Sequence, residues 1–314
     1  MYKASVILPC YNGARWIDRA VESILAQTCK HFELVIIDDG STDNSTEIIA
    51  PYLCDDRVRY IHQKNRGFSA ALNRGIEESS GCLIGFIGQD DLWMSNKLEL
   101  QVKYFSKHKD IDLVHSNYYS IDSEERTIRV VKTKVRGFSS KQEVVKWLFL
   151  TTNLGFETVL VKRKCFDEVG LFDERMVGYS DHDMWLRVAG SFNIGYLDLP
   201  LVKKRQHELQ LSKVRRESVL KDELLLAEKM IDCYPFLKKF ELKKLAPLYY
   251  EWGIVLLQKG NTKDAKQKLL KAIKCQPWKL KTIAAYLTPN LYKFVWERYL
   301  RFAPQVHREF RWAE

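Results

Sequence analysis

The sequence predicts an α/β fold, in which a three-layer domain with a mostly parallel, mixed sheet precedes an all-helical C-terminal region. Three observations support this prediction. Short apolar runs alternate with amphipathic helical segments over residues 4–93, as in right-handed crossovers between parallel strands. Two of these runs are followed by adjacent aspartates. From about Glu217 onward, apolar residues recur at helical spacing alone.

The first elements alternate in a regular order. We expect strands at residues 4–9, 32–37 and 58–61 and helices at residues 17–27, 45–53 and 70–79. The next apolar run, LIGFIGQDDLW over residues 83–93, fits a buried parallel strand that ends at Asp90 and Asp91. In open α/β sheets, ligands bind at the carboxyl ends of the strands. The chemistry of the chain is therefore expected around this strand.

Adjacent carboxylates occur at two predicted strand ends, Asp38/Asp39 and Asp90/Asp91. Such carboxylates raise one another's pKa unless a cation or strong donors compensate. One interpretation is a divalent metal that also holds phosphate oxygens; the other is solvated, helix-capping aspartates. Two pairs along one edge of one sheet favour the ligand. Because the sequence has neither G-x-G-x-x-G nor a P-loop, metal and basic residues are expected to neutralise the phosphate.

The following segments are less regular. Residues 113–116 and 151–161 read as strands, and the polar stretch 123–136 reads as a loop. Trp147 and Phe156 are expected in the core, because aromatic side chains are usually packed.

The segment SDHDMWLRVA predicts a helix with Asp181 and Trp185 on one face. Asp181 would lie in its first turn, directed towards the carboxyl edge of the sheet. An N-cap aspartate is the structural alternative. Asp183 is expected to pair with Arg187 or with a loop backbone.

The composition is that of an ordinary globular protein. The chain has 314 residues, 46% hydrophobic and 29% charged, and no apolar run reaches the ~20 residues that span a bilayer. The first residues read as a strand, so no secretory signal is expected. Seven cysteines are scattered singly without a Cys-x-x-Cys pair. This argues against a disulfide framework or a zinc site and indicates a cytoplasmic location.

The net charge of +10 is unevenly distributed. Residues 203–314 hold 25 Lys and Arg against 12 Asp and Glu, whereas residues 1–202 hold 25 against 28. A basic C-terminal third suits an anionic lipid surface, an acidic partner or nucleic acid, in that order of preference. Nucleic acid is not expected, because no recognisable reading module accompanies the charge.

Six motifs follow one another along the chain: VILPCYNG, SILAQT, ELVIIDDGSTDNS, NRGFSAALNRGI, the stretch from Gln89 to Asp91, and SDHDMWLRVA. As an ordered set over residues 4–212, they resemble the family-2 glycosyltransferases. The resemblance implies an inverting enzyme with the GT-A (nucleotide-diphospho-sugar transferase) fold that uses a nucleotide-activated sugar.

The resemblance also implies roles for individual residues. Contacts with the nucleotide sugar are implied for Pro9, Tyr11, Asn12, Asp39, Asn65, Gly67, Asn73, Asp90 and Asp91. Asp90 and Asp91, with His207 from the segment Arg205-Gln206-His207, are implied as ligands of Mn²⁺ or Mg²⁺. Which of the two aspartates binds the metal directly stays open, because Gly88 stands where many members have a further aspartate. Asp181 is implied as the general base, and Ser180 replaces the acid that usually precedes it.

The C-terminal region, residues 213–314, is predicted as a separate helical domain after a catalytic domain at residues 1–212. Residues 245–278 resemble one tetratricopeptide unit, and we expect a helical hairpin because solenoids need three or more repeats. Residues 279–314 form a basic, aromatic tail. This tail is expected either to lie in a membrane interface or to pack on its own domain.

The leading functional hypothesis is a metal-dependent, inverting glycosyltransferase of hexosyltransferase type. It would move a sugar from a nucleoside-diphosphate sugar, UDP-linked by default, to a hydroxyl of a glycan or lipid-linked acceptor in cell-surface polysaccharide synthesis. Its expected location is cytoplasmic, with peripheral contact at the inner face of the cell membrane. The alternative is a catalytically silent nucleotide-sugar-binding or scaffolding protein, for which Gly88 and Ser180 are the only support.

Overall fold

The computed structural model describes residues 3–133, 138–151 and 154–289, apart from the side chain of Ser212. The chain divides into two compact units. The first comprises Met1–Leu148 and Thr152–Gln210, and the second comprises Phe149–Thr151 and Leu211–Glu314. The change of unit after Gln210 lies two residues before the boundary drawn from the sequence.

One mixed sheet of nine strands runs through the described part of the first unit. The strands are β1 (Ala4–Cys10), β2 (Phe32–Asp38), β3 (Val58–His62), β4 (Leu83–Phe86), β5 (Leu92–Trp93), β6 (Leu113–Ile121), β7 (Thr127–Val131), β8 (Leu160–Lys162) and β9 (Ile194–Arg205). Their order is β3-β2-β1-β4-β8-β6-β9-β5, with β7 paired to β6 outside this path.

Strand direction determines which chain ends meet. β1 pairs in parallel with β2 and β4, and β2 pairs in parallel with β3. The carboxyl ends of these four strands therefore share one edge. β8 runs antiparallel to β4 and β6, whereas β9 is parallel to β6 and antiparallel to β5. β9 thus brings residues from late in the chain to the region that follows β4.

Helices cover the strands and form the second unit. They are α1 (Ile17–Leu25), α2 (Ser45–Ile49), α3 (Phe68–Glu78), α4 (Lys97–Lys107), α5 (Lys141–Leu150), α6 (Lys164–Val169), α7 (Ser180–Ser191), α8 (Leu211–Val214), α9 (Arg216–Cys233), α10 (Glu241–Gln258), α11 (Thr262–Cys275) and α12 (Leu280–Leu287). Short 3₁₀ helices occupy Ala50–Cys54, Phe156–Thr158 and Pro235–Phe240.

The core follows the apolar pattern of the sequence. Every residue of β1 and β2 is buried, as expected for parallel strands that are covered on both faces. The apolar stripe of α1, including Ile17, Val21 and Ile24, is fully buried against them. The predicted α/β class and the helical C-terminal region are confirmed.

Three segments differ from the prediction. In the described part of the strand expected over residues 151–161, a 3₁₀ helix occupies Phe156–Thr158 and β8 begins only at Leu160. The strand expected over residues 83–93 ends at Phe86, and a turn closed by a hydrogen bond from Asp91 N to Gly88 O leads into β5. The acid pair therefore lies on this turn, and not on the last residues of a strand. The loop expected over residues 123–136 contains β7, which pairs antiparallel with β6. Four of the five β7 residues are exposed, so no apolar alternation marked the strand.

The second unit contains a helical hairpin where the tetratricopeptide-like unit was predicted. α10 and α11 are joined through Gly260, which has φ +80°, and a Cβ atom on Gly253 would lie 2.6 Å from Cγ of Leu269. The tetratricopeptide likeness stays a prediction. Most of the predicted basic tail, residues 290–314, lies outside the described residues. No described helix is both long and apolar enough to cross a membrane.

The close packing of α3 on the sheet generates a stability prediction. A Cβ atom on Gly75 would lie 2.4 Å from Cγ2 of Ile7, so an alanine there must push α3 away from β1. We expect Gly75→Ala to lower the free energy of unfolding by about 1–3 kcal/mol in urea denaturation, although alanine is intrinsically the better helix former.

The matched control is Glu77→Ala, which changes an exposed residue of the same helix. Its effect should stay within about 0.5 kcal/mol. A Gly75→Ala protein as stable as the control would contradict the close approach of α3 to β1.

Candidate active site

The loop after β1 is tied to the loop after β2. Asn12 has φ +51°, a conformation that asparagine tolerates better than most residues. Its Oδ1 accepts a hydrogen bond from Thr42 N at 2.8 Å, and its own backbone N donates to Ser41 Oγ at 3.0 Å. The two loops therefore hold each other in place at the carboxyl edge of the sheet.

Gln89 connects the loop after β1 to the acid pair. Its Oε1 accepts from Tyr11 N at 2.8 Å, and its Nε2 donates to Tyr11 O at 3.1 Å. A Cβ atom on Gly13 would lie 2.5 Å from Gln89 Oε1, so only glycine leaves room for this contact. The Tyr11 side chain is 47% exposed, and Pro9 is buried in β1. The turn that carries Asp90 thus has a fixed position relative to β1.

Asp39 is buried directly after β2 and organises the loop that follows β3. Its Oδ1 accepts from Gln63 Nε2 at 2.8 Å and from Arg66 N at 2.9 Å, and its Oδ2 accepts from Gly67 N at 2.8 Å. Gly67 precedes α3 with φ +94°, whereas Asn65 is exposed in the loop. A carboxylate offers about four acceptor positions, so three of those on Asp39 are used within the protein.

Asp38, the other member of this pair, is held by hydrogen bonds within the protein. Burial alone would raise its pKa, but hydrogen bonds from Tyr60 OH, at 2.5 Å, and from Ser41 N, at 2.8 Å, lower it below the usual value. Asp38 is therefore an ionised carboxylate that fixes the start of the loop after β2.

Asn73 has its hydrogen bonds satisfied within the protein. Its Nδ2 donates to Phe172 O at 3.0 Å and to Glu174 Oε1 at 3.1 Å, and its Oδ1 accepts from Phe172 N at 2.9 Å. The side chain is buried. It therefore holds the chain after α6, and its implied contact with a nucleotide sugar stays a prediction.

The second acid pair combines one buried and one half-buried carboxylate. Asp91 is 3% exposed, and its Oδ1 accepts from Arg205 N at 2.8 Å. Burial, with the negative charges of Asp90 and Glu157, raises the pKa of Asp91 well above its usual value. Asp90 Oδ2 lies 2.7 Å from His207 Nε2. The pair therefore concentrates negative charge in a place that favours a cation.

Arg205 joins β9 to this acid pair. The side chain is 1% exposed, and its guanidinium donates to the carbonyl oxygens of Asp90, at 2.8 Å, and Ser123, at 3.0 Å. It also forms an ion pair with Glu125 at 3.2 Å. The ring of His207 lies 4.2 Å from that of Trp16, measured between centroids. The end of β9 is thus fixed against the turn that carries Asp90.

Asp181 lies in the first turn of α7 and is partly exposed. Burial raises its pKa to about 6, the positive charge of Lys204 lowers it, and the negative charge of Glu157 raises it. Its Oδ1 accepts from His182 N at 2.8 Å. The pKa of Asp181 is therefore closer to neutral pH than that of a solvent-exposed aspartate.

Asp183, on the same turn, is fully buried and forms an ion pair with Arg187. Arg187 Nε donates to Asp183 Oδ2 at 2.9 Å, and Nη2 donates to Leu171 O at 2.9 Å. The predicted pairing of Asp183 with Arg187 is confirmed. Asp183 is thus held in a buried ion pair, whereas Asp181, two residues before it, is partly exposed.

An ion pair that the sequence did not predict contributes to the electrostatics of both Asp91 and Asp181. Lys204 Nζ donates to Glu157 Oε1 at 2.9 Å and to Oε2 at 3.2 Å. Each charge has the same effect on Asp91 as on Asp181. Lys204 lowers the pKa of both carboxyl groups, and Glu157 raises the pKa of both. Asp91 and Asp181 therefore share an electrostatic environment, although α7 follows the acid pair by some ninety residues.

The metal prediction can be compared with the donors present. Within residues 3–133, 138–151 and 154–289, no group of three or more His, Cys, Asp or Glu side chains is arranged to hold a metal ion. Asp90 and His207 are two adjacent donors. Mg²⁺ is usually bound by one or two carboxylates and completed by substrate phosphates and water, and Mn²⁺ accepts carboxylate and imidazole alike. The donors therefore fit an ion that arrives with a diphosphate.

Comparisons with known proteins point to one family. The model of glycosyl transferase family 2 matches residues 5–170. A glycosyltransferase from Rickettsia felis is 37% identical over 203 residues, which are 65% of this chain and 33% of that protein. Glycosyltransferase GlyG from Streptococcus pneumoniae is 40% identical over 123 residues, 38% of this chain and 40% of that protein. The chain thus matches less than half the length of either relative.

Solved structures share the fold at low sequence identity. S. aureus TarS superposes with a TM-score of 0.60 at 15% identity, covering 95% of this chain and 55% of TarS. The mannosyltransferase PcManGT from Pyrobaculum calidifontis superposes with a TM-score of 0.59 at 16% identity, covering 95% of this chain and 83% of that one. The first unit has the predicted GT-A fold. With more than half of its residues matched by the family model, the chain belongs to glycosyltransferase family 2.

Proposed function

We propose that the chain transfers a sugar from a nucleoside-diphosphate sugar to a hydroxyl group of a glycan or lipid-linked acceptor, with inversion at the anomeric carbon. The observation that carries this proposal is the common electrostatic environment of Asp91 and Asp181, since the charge of Lys204 lowers and that of Glu157 raises the pKa of each carboxyl group. The reaction needs a site for phosphate next to a base, and these two groups of acids would supply them. Synthesis of cell-surface polysaccharide is the proposed context.

The proposed donor site extends from the acid pair to the loop after β1. TarS structures contain UDP or UDP-GlcNAc, and the PcManGT structure contains GDP-Man and Mn²⁺. These relatives by fold support a nucleoside-diphosphate sugar, with uridine as our default base. The exposed ring of Tyr11, beside the hydrogen-bonded Asn12, offers a surface on which a base could stack.

Asp90 and His207 are the proposed metal-binding residues, with Asp91 contributing negative charge. A divalent ion bound there would offset the charge that develops on the leaving diphosphate. The raised pKa of Asp91 supports this assignment, because a nearby cation would favour its ionised form.

Asp181 is the proposed general base. Its carboxylate would accept the proton of the acceptor hydroxyl while the acceptor oxygen forms a bond to the anomeric carbon of the sugar. The bond from that carbon to the β-phosphate oxygen breaks, and its electron pair leaves with the nucleoside diphosphate. Attack from the side opposite the leaving group inverts the anomeric configuration. General-base catalysis of this kind typically contributes ~10²–10⁴-fold.

Asp181→Asn should remove transfer but not donor binding. We expect turnover to fall at least about 100-fold, while the dissociation constant for the donor changes little in calorimetric titration. Because the folded protein raises the pKa of this acid, its ionisation at pH 7 destabilises the folded state relative to the unfolded chain. The asparagine variant should therefore be more stable, by about 1–3 kcal/mol.

Asp183→Asn is the matched control for the stability measurement, because it makes the same change at an acid two residues away. Removing its charge leaves Arg187 without a buried ion-pair partner, so we expect a stability loss of roughly 2–4 kcal/mol. Retained turnover in Asp181→Asn would contradict the role of Asp181 as base, whatever the stability result.

Donor binding should depend on a divalent metal. We expect Mn²⁺ to increase the thermal stabilisation produced by UDP- or GDP-sugars, since a ligand of the native state raises the apparent melting temperature. His207→Ala and Asp90→Asn should each lower the affinity for Mn²⁺ about 10-fold or more and so reduce this stabilisation. Asp181→Asn should keep the stabilisation by Mn²⁺. Equal donor affinity in Mn²⁺ and in a chelator would contradict the metal proposal.

The second unit is the proposed membrane-contacting part. Residues 262–289 contain seven lysines and a single acid, Asp264. Three apolar side chains near α12 are largely exposed: Trp278 at 71%, Leu280 at 79% and Leu287 at 66%. Exposed apolar groups among lysines suit an anionic lipid surface.

The membrane proposal is tested by flotation of the full chain with vesicles. We expect binding to vesicles that contain phosphatidylglycerol and little binding to pure phosphatidylcholine. Trp278→Ser with Leu280→Ser should abolish flotation. Leu199→Ser, which changes a 45% exposed residue of the first unit, should not. Equal flotation of both variants would contradict contact through this surface.

A further inference from the structure

A bound diphosphate needs positive charge from side chains as well as from the metal, because the sequence has no glycine-rich phosphate loop. Apart from His207, none of the proposed donor-site residues is basic. The segments that follow β1 and β3 lead away from the carboxyl edge of the sheet, and their arginines are Arg15, Arg19, Arg66 and Arg74. The contacts of these arginines in the folded chain decide which of them is available to a ligand.

Three of the four arginines are already paired. They share one feature, an ion pair with a carboxylate at 3.2 Å or less: Arg19 with Glu125, Arg66 with Glu174 and Arg74 with Glu78. Arg15 differs, because no carboxylate within the described part of the chain is paired with it. Its side chain is exposed, and its guanidinium carbon lies 4.6 Å from the centroid of the Trp16 ring. The charge of Arg15 is therefore open to a ligand from solvent.

Trp16 places this guanidinium near the proposed metal-binding pair. The indole is 9% exposed, and its ring centroid lies 4.2 Å from that of His207. Because the Arg15 guanidinium carbon lies 4.6 Å from the same indole ring, it is within about 9 Å of the centre of the His207 ring. His207 Nε2 in turn lies 2.7 Å from Asp90 Oδ2. A diphosphate held by an ion at Asp90 and His207 is thus within reach of Arg15.

The turn that carries Arg15 is held on both sides of this residue. Ala14 N donates to Asp43 Oδ2 at 3.0 Å, and Trp16 N donates to Gly13 O at 3.0 Å. Stacking on an indole also restricts the flat guanidinium group. A group that is ordered before its ligand arrives loses less free energy on binding. The position of Arg15 therefore favours a phosphate contact.

A second arginine on the same indole is not available to a ligand. The Arg205 guanidinium carbon lies 5.7 Å from the centroid of Trp16, but the Arg205 side chain is only 1% exposed. Its Nε donates to Asp90 O at 2.8 Å, and its Nη2 forms an ion pair with Glu125 at 3.2 Å. Arg205 therefore holds the fold, whereas Arg15 presents its charge to solvent.

We propose that Arg15 is a phosphate-binding residue that contacts the diphosphate of the sugar donor beside the ion at Asp90 and His207. This inference rests on the proposed function, which brings a nucleoside diphosphate to this edge of the sheet. Arginine suits the role because its planar guanidinium can donate two parallel hydrogen bonds to phosphate oxygens. Its positive charge would also offset the negative charge that develops on the leaving diphosphate.

Inorganic pyrophosphate tests this contact directly, because it carries the diphosphate group without a base or a sugar. We expect it to bind the full chain in the presence of Mn²⁺, as measured by calorimetric titration. Arg15→Met should weaken this binding about 10- to 100-fold, because hydrogen bonds to a charged group are lost. Methionine still covers Trp16 with an apolar side chain. Arg15→Lys keeps the charge without the paired hydrogen bonds and should restore part of the affinity.

Arg19→Met is the matched control, because it removes the same charge from an arginine that is paired with Glu125. Its affinity for pyrophosphate should stay within about 2-fold of the wild-type value, since the charge of an exposed, paired side chain is screened by solvent. Titration with Mn²⁺ alone separates a lost contact from a damaged site. Arg15→Met should bind Mn²⁺ at least as tightly as the wild-type chain, because a nearby positive charge is gone.

Three results would overturn the inference: a wild-type chain that does not bind pyrophosphate, an unchanged affinity in Arg15→Met, or an equal loss in Arg19→Met. A loss of Mn²⁺ binding in Arg15→Met would also contradict it, because the weaker pyrophosphate binding would then follow from a disturbed metal pair. Failure of the proposed function is distinguishable. Retained turnover in Asp181→Asn would refute the proposed base without affecting pyrophosphate binding, whereas wild-type pyrophosphate affinity in Arg15→Met would leave the proposed sugar transfer intact.

Discussion

The proposed active site depends on how negative charge is compensated at one edge of the sheet. Asp91 is buried next to Asp90, and such a pair is unfavourable without donors or cations nearby. β9 supplies both, because Arg205 donates its backbone N to Asp91 while Lys204 adds a positive charge. The register of β9 against β5 and β6 is therefore what makes this acid pair compatible with a folded core.

The same edge is held rigid by hydrogen bonds between side chains and loop backbones. Gln89, Asn12 and Asp39 each connect two different loops, and most of the partners of their side chains are backbone groups. A site fixed before substrate binds loses less free energy in ordering its groups, which favours transition-state stabilisation. Asp91 and Asp181 lower the stability of the free protein, because their raised pKa values make their charged forms less favourable in the folded state than in the unfolded chain.

The features that could be predicted from the sequence are those that a local pattern or the order of the motifs determines. The parallel strands, the acid pairs and the helix that carries Asp181 in its first turn all leave a signal within a few residues. The partnership of Glu157 with Lys204 leaves none, since the two residues are 47 positions apart and each reads as an ordinary surface charge. β7 was missed because an exposed strand has no apolar alternation, although the β-branched residues of TIRVV were an available signal. No local pattern shows that the amide of Asn73 holds Phe172 in the fold, and its implied contact with the nucleotide sugar stays a prediction.

A crystal structure of the chain with a nucleoside-diphosphate sugar and Mn²⁺ would show whether these acids form one site. We expect an anomalous Mn²⁺ signal at Asp90 and His207, the diphosphate in contact with that ion, and the anomeric carbon between the diphosphate and the Asp181 carboxylate. A diphosphate bound away from the carboxyl edge of β1, β2 and β4, or Asp181 separated from the sugar by protein, would contradict it.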